Sequence, residues 1–251
     1  MSERAGEAMT GERVAVILGA RNLGGAVLDH LQENGWRGAA IARSEETAVA
    51  VSERGALGIA ADASDPDALG SALARVRDEL GPPSLIVNAV SASRPPDDGK
   101  GFGGGPIGEA TLDGFRGWAV AVAEQSFVFL STGIRALRES GHGGTLIQVT
   151  GGSARRAMPG RGLWSAGAQA TRAMTHAAAQ EVREEGIHVA LLIVDATIES
   201  PKTADFTRDA PKNSLADMRL IAEAAEYLAS QQPRAYTHEL MLTPAGDRWV
   251  P

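Results

Sequence analysis

The chain has 251 residues, no cysteine and a formal net charge of −7 at pH 7. This composition excludes disulfides and thiolate metal sites, and the acidic balance argues against a nucleic acid or an anionic membrane surface as partner. No apolar run approaches the roughly 20 residues of a membrane-spanning helix, and the five histidines lack metal-ligand spacing, so no metal site is predicted. Residues 1–12 are polar and carry no signal-peptide pattern. We expect a flexible tail there, a single domain over residues 13–251, and a cytoplasmic protein.

The chain opens with a strand, a glycine-rich turn and a helix. Residues 13–18 form an apolar run typical of a buried parallel strand, and Gly-Ala-Arg-Asn-Leu-Gly-Gly follows at 19–25. A helix is predicted from this turn to Asn34, before Gly35. Such a turn can cradle a phosphate, because bare backbone and the helix N-terminus face the anion.

Three further strands are predicted in the first half of the chain, at 39–42, 57–61 and 85–90. Arg43 follows the first of them, Asp62 follows the second, and Asn88 lies in the third. A helix is predicted at 65–80. Residues 91–108 are rich in Gly and Pro and too long for a plain connector, so they form either a mobile surface loop or a lid over a cleft.

The second half continues the alternation of strands and helices. Strands are predicted at 145–150, 188–194 and 239–243, and helices at 111–139, 164–184 and 216–230, with a substrate loop at 202–213. Asp195 follows a strand directly, at the end where open α/β sheets bind ligands. The pattern predicts a doubly wound, Rossmann-type three-layer sandwich with a seven-stranded, mostly parallel sheet and helices on both faces.

The stretch from Gly143 to Ala170 closely resembles the active-site segment of short-chain dehydrogenases/reductases, and the resemblance extends over residues 13 to about 245. A strand ends in Gly-Gly, a loop rich in Gly, Arg and Pro follows, and a helix then opens. The resemblance implies that Gly151 stands where the family has its Ser, Trp164 where it has its Tyr, and Ala168 where it has its Lys. An indole N–H is no acid near neutral pH, and general acid–base catalysis is worth about 10²–10⁴-fold. We therefore expect ordinary ketone reduction to be absent.

The resemblance also implies a dinucleotide site at the glycine-rich turn. In the family pattern Gly-x-x-x-Gly-x-Gly, Gly19 comes first. Gly24 takes the last place if the turn is one residue short, with Asn22 near the middle glycine, since Asn tolerates a positive φ. Without a gap, Gly25 takes the last place and Leu23 stands where a glycine should be.

Basic residues near this turn imply NADP(H) rather than NAD(H) as the cofactor. Arg43, at the tip of the second strand, suits a 2′-phosphate, and Arg21 inside the turn suits the same group. Asp62 on the adenine side, Asn88 and Thr197 complete the cofactor contacts that the resemblance implies. The shortened turn and the missing Lys are consistent with weak binding.

Three functions stay open from the sequence. The first is an atypical NADP(H)-dependent oxidoreductase that needs no Tyr/Lys acid, for example one acting on an activated C=C or C=N bond. The second is a non-redox isomerase, dehydratase or cyclase that uses Glu124 and Asp195 as acid and base; Glu124 aligns with a family Asn, and an outward orientation is its alternative. The third is a cofactor- or metabolite-binding pseudoenzyme.

The expected partners are a small molecule and further copies of the chain. Trp164 should line the nicotinamide side of the pocket, where a flat indole favours an aromatic or polyene ligand. The family commonly assembles through the two helices that flank its active site, here 117–139 and 164–184. The second is rich in alanine, which permits close helix packing, so a homodimer or homotetramer is expected.

Overall fold

The computed structural model describes residues 13–90 and 101–247 of the chain. The predicted tail at 1–12 and residues 91–100 of the predicted loop or lid lie outside the described residues.

Seven strands form one sheet in which every neighbouring pair is parallel. In chain order the strands are β1 (Val14–Leu18), β2 (Arg37–Ala42), β3 (Leu57–Ala60), β4 (Leu85–Asn88), β5 (Gly144–Gly151), β6 (Ile187–Val194), β7 (Thr197–Ile198), β8 (Leu215–Ala216) and β9 (Glu239–Leu242). The order in space is β3-β2-β1-β4-β5-β6-β9, while β7 and β8 pair separately. The predicted Rossmann-type fold is confirmed, and the direction of winding reverses between β1 and β4, where such folds bind ligands.

Helices cover both faces of this sheet. They are α1 (Leu23–Glu33), α2 (Glu45–Glu53), α3 (Pro66–Leu80), α4 (Leu112–Phe115), α5 (Ala121–Ser140), α6 (Gly162–Val182), α7 (Ala204–Thr207) and α8 (Met218–Ala229). Alternate residues of β1 point to opposite faces, so Val16 joins a core with α3, α5 and α6, and Ile17 joins a core with α1, α2 and α8. Both faces of the strands are therefore buried, which explains their continuous apolar runs.

Local sequence signals mark several helix ends. The side chains of Ser44, Asp65 and Asp217 accept hydrogen bonds from backbone N–H groups in the first turns of α2, α3 and α8. These caps satisfy donors that have no partner within the helix. At the other end, α5 stops at Gly141 in the left-handed conformation, which glycine adopts without steric cost.

The structure differs from the predicted elements in several places. The helix predicted at 111–139 is α4, a π-helical turn at Arg116–Val120, and α5. The substrate loop predicted at 202–213 contains α7, and β8 pairs with β7 just after it. No helix in the described part of the chain is long and apolar enough to cross a membrane.

Candidate functional site

The turn between β1 and α1 is shaped by close backbone approach. Gly19 has a φ of 85°, and Asn22 has a φ of 48° with a ψ of −119°, a combination that glycine adopts most easily. A methyl group built on Gly24 would lie 1.6 Å from the carbonyl oxygen of Gly19, whereas one on Gly25 would lie 2.8 Å from that of Ala20. This geometry favours Gly24 as the tight glycine of a shortened turn, with Asn22 in a glycine-like conformation.

Two exposed arginines flank this turn. The N–H of Gly19 donates to the carbonyl of Ile41, which ties the turn to β2 just before Arg43. Arg21 and Arg43 are both exposed. The pKa of Asp62 is lowered by hydrogen bonds from the hydroxyl and the N–H of Ser64, and the nearby Arg43 charge contributes in the same direction. Positive charge thus stands beside the candidate phosphate cradle.

Asn88 lies at the end of β4 in a buried amide network. Its Nδ2 donates to Oε1 of Gln148 at 2.9 Å and to Oε1 of Gln125 at 3.4 Å. Its Oδ1 accepts from Nε2 of Gln125 at 3.1 Å and from the N–H of Val90 at 3.2 Å. All three amide residues are buried. The network joins β4, β5 and α5 at the carboxyl edge of the sheet. Neither Gln125 nor Gln148 was predicted from the sequence to lie in the site.

Asp195 packs against the glycine pair that ends β5. A methyl group on Gly152 would lie 1.8 Å from Oδ1 of Asp195, so the carboxylate occupies the space next to this backbone. Its Oδ2 accepts from Arg156 at 3.3 Å, and the side chain is 13% exposed. Gly151 itself has room, because the nearest atom to an added methyl group is the carbonyl oxygen of Val194 at 3.9 Å.

Two ion pairs fasten the loop that follows β5. Arg156 pairs with Asp195 at the end of β6, and Arg155 pairs with Glu239 of β9. Nε of Arg172 in α6 donates to the same glutamate at 2.6 Å. Burial raises the pKa of Glu239, but the hydrogen bonds from Arg172 and Arg155 outweigh it and leave the pKa below its usual range. The loop is therefore held to two neighbouring strands.

Trp164 lies in an aromatic cluster at the start of α6, which we call the tryptophan cluster and define as Phe102, Trp118 and Trp164. The ring centroids are 5.1 Å apart for Phe102 and Trp118, 5.2 Å for Phe102 and Trp164, and 6.1 Å for the two indoles, all edge to face. Trp164 therefore contacts two rings of its own chain. Ala168, one turn further along α6, is fully buried with Ala154, Leu191 and Ile193.

The remaining predicted residues lie at the surface. Glu124 is exposed on α5, and Thr197 is exposed in β7. Among the described residues no hydrogen bond or ion pair joins Glu124 to Asp195, so their pairing as acid and base stays a prediction. The side chain that α5 turns inward is Gln125, the next residue. Neighbouring residues on a helix point about 100° apart, so an alignment shifted by one residue exchanges an exposed side chain for a buried one.

A cavity of about 680 Å³ opens beside α1. Ala26 of α1, Ser200 and Pro201 after β7, and Met218 of α8 contribute to its lining. The cavity shows that the segment after β6 leaves space next to the first helix, on the side of the sheet that carries α8.

The family model described as short chain dehydrogenase matches residues 13–209. The chain belongs to the short chain dehydrogenase family. No curated protein sequence matches it, but many solved structures do. An alcohol dehydrogenase from the archaeon Thermococcus sibiricus, complexed with 5-hydroxy-NADP, has a TM-score of 0.75 at 21% identity over 96% of this chain and 100% of that one.

Two further solved structures show the same likeness. Actinorhodin polyketide ketoreductase with NADPH has a TM-score of 0.77 at 19% identity, over 95% of this chain and 98% of that one. A blue fluorescent protein from a metagenomic library, in complex with NADPH, has a TM-score of 0.74 at 25% identity, over 92% and 96%. All three neighbours were solved with NADP(H) or a derivative, and the chain shares their fold.

Proposed function

We propose that this chain is an NADP(H)-dependent oxidoreductase of the short-chain family that acts without the usual Tyr/Lys acid, on an activated C=C or C=N bond. The observation that carries the proposal is the tight glycine turn between β1 and α1 beside the exposed Arg21 and Arg43. The sequence resemblance adds the prediction that Trp164 and Ala168 stand at the positions that the family gives to its acid and its cation. The cradle supports cofactor binding, and the two substitutions argue against the ordinary reaction.

The residues present fit NADP(H). Gly24 packs so closely on Gly19 that no side chain fits between them, which leaves bare backbone at the start of α1 for a pyrophosphate. Arg21 and Arg43 would hold the 2′-phosphate, and Asp62 would lie on the adenine side. When bound, the cofactor would supply the hydride, and the chain itself would bind and orient both reactants.

Proton supply is the step that this site handles differently. Trp164 offers only an indole N–H, which donates hydrogen bonds but is no acid. Ala168 lies among apolar side chains, so it neither lowers a pKa nor contacts a ribose. Asp195 is engaged in an ion pair with Arg156. A substrate whose accepting carbon is already activated, and whose proton can come from water, suits such a site.

The two alternatives are supported less well. A non-redox enzyme needs Glu124 and Asp195 to act together, yet Glu124 is exposed and Asp195 is paired with Arg156. A pseudoenzyme that binds a cofactor or metabolite is favoured by the tryptophan cluster, because Phe102 covers part of Trp164. Turnover separates this reading from the proposal.

Cofactor preference is the first test. Titration of NADPH and NADH, followed by energy transfer from tryptophan to the nicotinamide, should give tighter binding of NADPH. Arg43→Ala should weaken NADPH by about 1.5–3 kcal/mol, as for a lost charge-assisted contact, and leave NADH nearly unchanged. Arg183→Ala is the matched control, because it removes an exposed arginine at the C-terminal end of α6, opposite to the end that carries Trp164. Equal affinity of the wild-type protein for both cofactors, or none for either, would remove the proposal.

Turnover is the second test. NADPH absorbance is followed with activated alkenes, cyclic imines, ketones and aldehydes as substrates. We expect oxidation of NADPH with members of the first two classes and little with the last two. Ketone turnover near 1 s⁻¹, about the low end of typical enzymes, would show that another group supplies the proton. Binding of NADPH with no turnover of any class would favour the pseudoenzyme.

A further inference from the structure

Phe102 is carried by a glycine strap that is shaped to fit the start of α6. Gly101, Gly103, Gly104 and Gly105 all have a φ between 75° and 99°, a region that L-residues with a side chain rarely adopt. A methyl group on Gly103 would lie 2.9 Å from Cα of Arg161, and one on Gly104 would lie 2.7 Å from Cδ1 of Leu163. The backbone therefore lies directly on the segment that leads into α6, and this contact places the Phe102 ring.

The Phe102 ring completes an aromatic site but remains accessible. It meets both indoles edge to face, with interplanar angles of 66° to Trp118 and 64° to Trp164. The guanidinium carbon of Arg161 lies 5.6 Å from its centroid, within the range of a cation–π contact. Phe102 is nevertheless 40% exposed, whereas Trp118 is only 8% exposed. The Phe102 ring thus covers the two indoles from the solvent side.

The cluster stands where a ligand of this fold would bind. Both indoles lie on segments that begin at the carboxyl edge of the sheet, Trp118 on the one after β4 and Trp164 on the one after β5. Open α/β sheets bind their ligands outside this edge. A cover at this point lies over the candidate site rather than over a remote surface.

We propose that Phe102 is a displaceable cap on Trp164, and that the ligand of this site carries a flat aromatic ring that takes the place of the Phe102 ring. The inference rests on the proposed function and names the substrate class of the same site. A flat ring between the two indoles and Arg161 regains the edge-to-face and cation–π contacts that leave with Phe102. A saturated ring of the same size regains only the apolar contact.

Competition by the cap reduces apparent affinity. A ligand that must first displace Phe102 binds only the uncapped fraction of the protein, so its apparent dissociation constant is raised by the inverse of that fraction. Two edge-to-face contacts correspond to roughly a tenfold change in an equilibrium constant. Removing the ring should therefore tighten the binding of a flat aromatic ligand about tenfold.

The experiment is calorimetric titration of the full-length protein with naphthol and with its saturated analogue, decahydronaphthol. Phe102→Ala should bind naphthol about tenfold more tightly than the wild type does, with a much smaller gain for the saturated compound. Phe115→Ala is the matched control, because Phe115 is 41% exposed and lies outside the cluster. Its affinity should equal that of the wild type. Adding Trp164→Leu to Phe102→Ala should remove the gain.

Each other outcome overturns the inference. Weaker or unchanged naphthol binding in Phe102→Ala would make Phe102 a wall of the pocket or a bystander. An equal gain for both compounds would mean that a cavity had been filled without regard to aromaticity.

Thermal unfolding shows whether Phe102→Ala remains folded. If it does not, Phe102→Leu, which keeps the bulk but not the ring, takes its place. NADPH binding is measured separately. If the protein does not bind NADPH but shows the expected naphthol response, the proposed function is overturned and the cap inference is retained.

Discussion

Gly151 and Ala168 differ in how much space surrounds them. An added methyl group on Gly151 meets nothing closer than 3.9 Å, so a small side chain fits there without any rearrangement. Ala168 has no exposed surface and packs with Ala154, Leu191 and Ile193. Any larger residue at Ala168 must push apart a close-packed cluster, and a charged one must also leave water.

Introducing the Ser, Tyr and Lys that the resemblance implies should therefore fail at Ala168. Ala168→Lys should lower the free energy of unfolding by about 3 kcal/mol or more, because it overpacks the cluster and buries an unpaired charge. Gly151→Ser should change it by less than about 1 kcal/mol. The triple variant with Trp164→Tyr should gain little ketone reductase activity. Urea unfolding of each single variant checks the order, and a more stable Ala168→Lys than Gly151→Ser would contradict it.

His188 ties the stability of the fold to pH. Its ring lies at the amino end of β6, stacks on Tyr236 with centroids 4.2 Å apart, and places Nε2 3.0 Å from the carbonyl oxygen of Thr237. Burial lowers the pKa of His188, and the hydrogen bond to Thr237 opposes that shift only in part. The unfolded chain then binds more protons than the folded one at mildly acidic pH. The stability that neutral His188 contributes is present above the pKa of histidine in the unfolded chain, near 6.5, and is lost as the pH falls below that value.

The measurement is urea unfolding at about pH 7.5 and pH 5.5, the range in which histidine titrates. The free energy of unfolding of the wild type should fall between the two. His188→Gln should show a smaller fall, because its side chain takes up no proton. His142→Gln, which changes an exposed histidine after α5, should behave as the wild type. A His188→Gln variant with the full wild-type fall would assign the pH dependence to other groups.

At the level of elements, strands and long helices were predicted closely because their burial leaves a periodic pattern. The run at 13–18 became β1 (Val14–Leu18), and the helix at 65–80 became α3 (Pro66–Leu80). The short pair β7 and β8 was missed, since two-residue strands have no period to detect. Helix α2 was not predicted either, because Ala48 and Val51 are its only buried residues.

The candidate site was harder to predict than the fold. The positions of Gly24, Arg43 and Asp195 at the carboxyl edge of the sheet were predictable, because each residue follows a predicted parallel strand. The contact of Phe102 with Trp164 depends on the left-handed φ of four glycines. No sequence pattern around residue 102 predicts this contact. Whether Glu124 or Gln125 faces inward depends on the rotation of α5 about its axis. A π-helical turn precedes α5 directly and changes which residues of the following helix face the sheet.

The turn between β1 and α1 is the element most sensitive to one added carbon. Gly24→Ala would place a methyl group 1.6 Å from the carbonyl oxygen of Gly19, so the start of α1 must move. We expect a loss of about 3 kcal/mol or more in unfolding free energy, together with loss of NADPH binding. Gly70→Ala in α3 is the control, because its nearest contact would be Thr132 at 3.9 Å. It should be neutral or stabilising by up to about 1 kcal/mol. Equal effects of the two substitutions would contradict the tight-turn reading.

At the scale of the whole molecule, the outer face of α6 is the surface to consider for assembly. The alanines of this helix divide: Ala168, Ala178 and Ala179 are buried, Ala170 is half-buried, and Ala166, Ala173 and Ala177 are exposed. On α5, which packs beside α6, Phe127 is 60% exposed. Packing against the sheet therefore accounts for only part of the alanine content. The exposed part gives a smooth face on which a second pair of helices can approach closely.

We predict that two copies associate through α5 and α6 about a twofold axis, giving a dimer or, with a second interface, a tetramer. Light scattering at micromolar concentration should give a multiple of the chain mass. Ala173→Glu should shift the protein towards monomer, because a twofold interface buries the new charge twice and sets like charges near each other. Ala50→Glu, which adds the same charge to an exposed alanine of α2, should leave the mass unchanged. A monomeric wild type would contradict the prediction. If only Ala50→Glu dissociates the oligomer, the interface lies on the other face of the sheet, which carries α2.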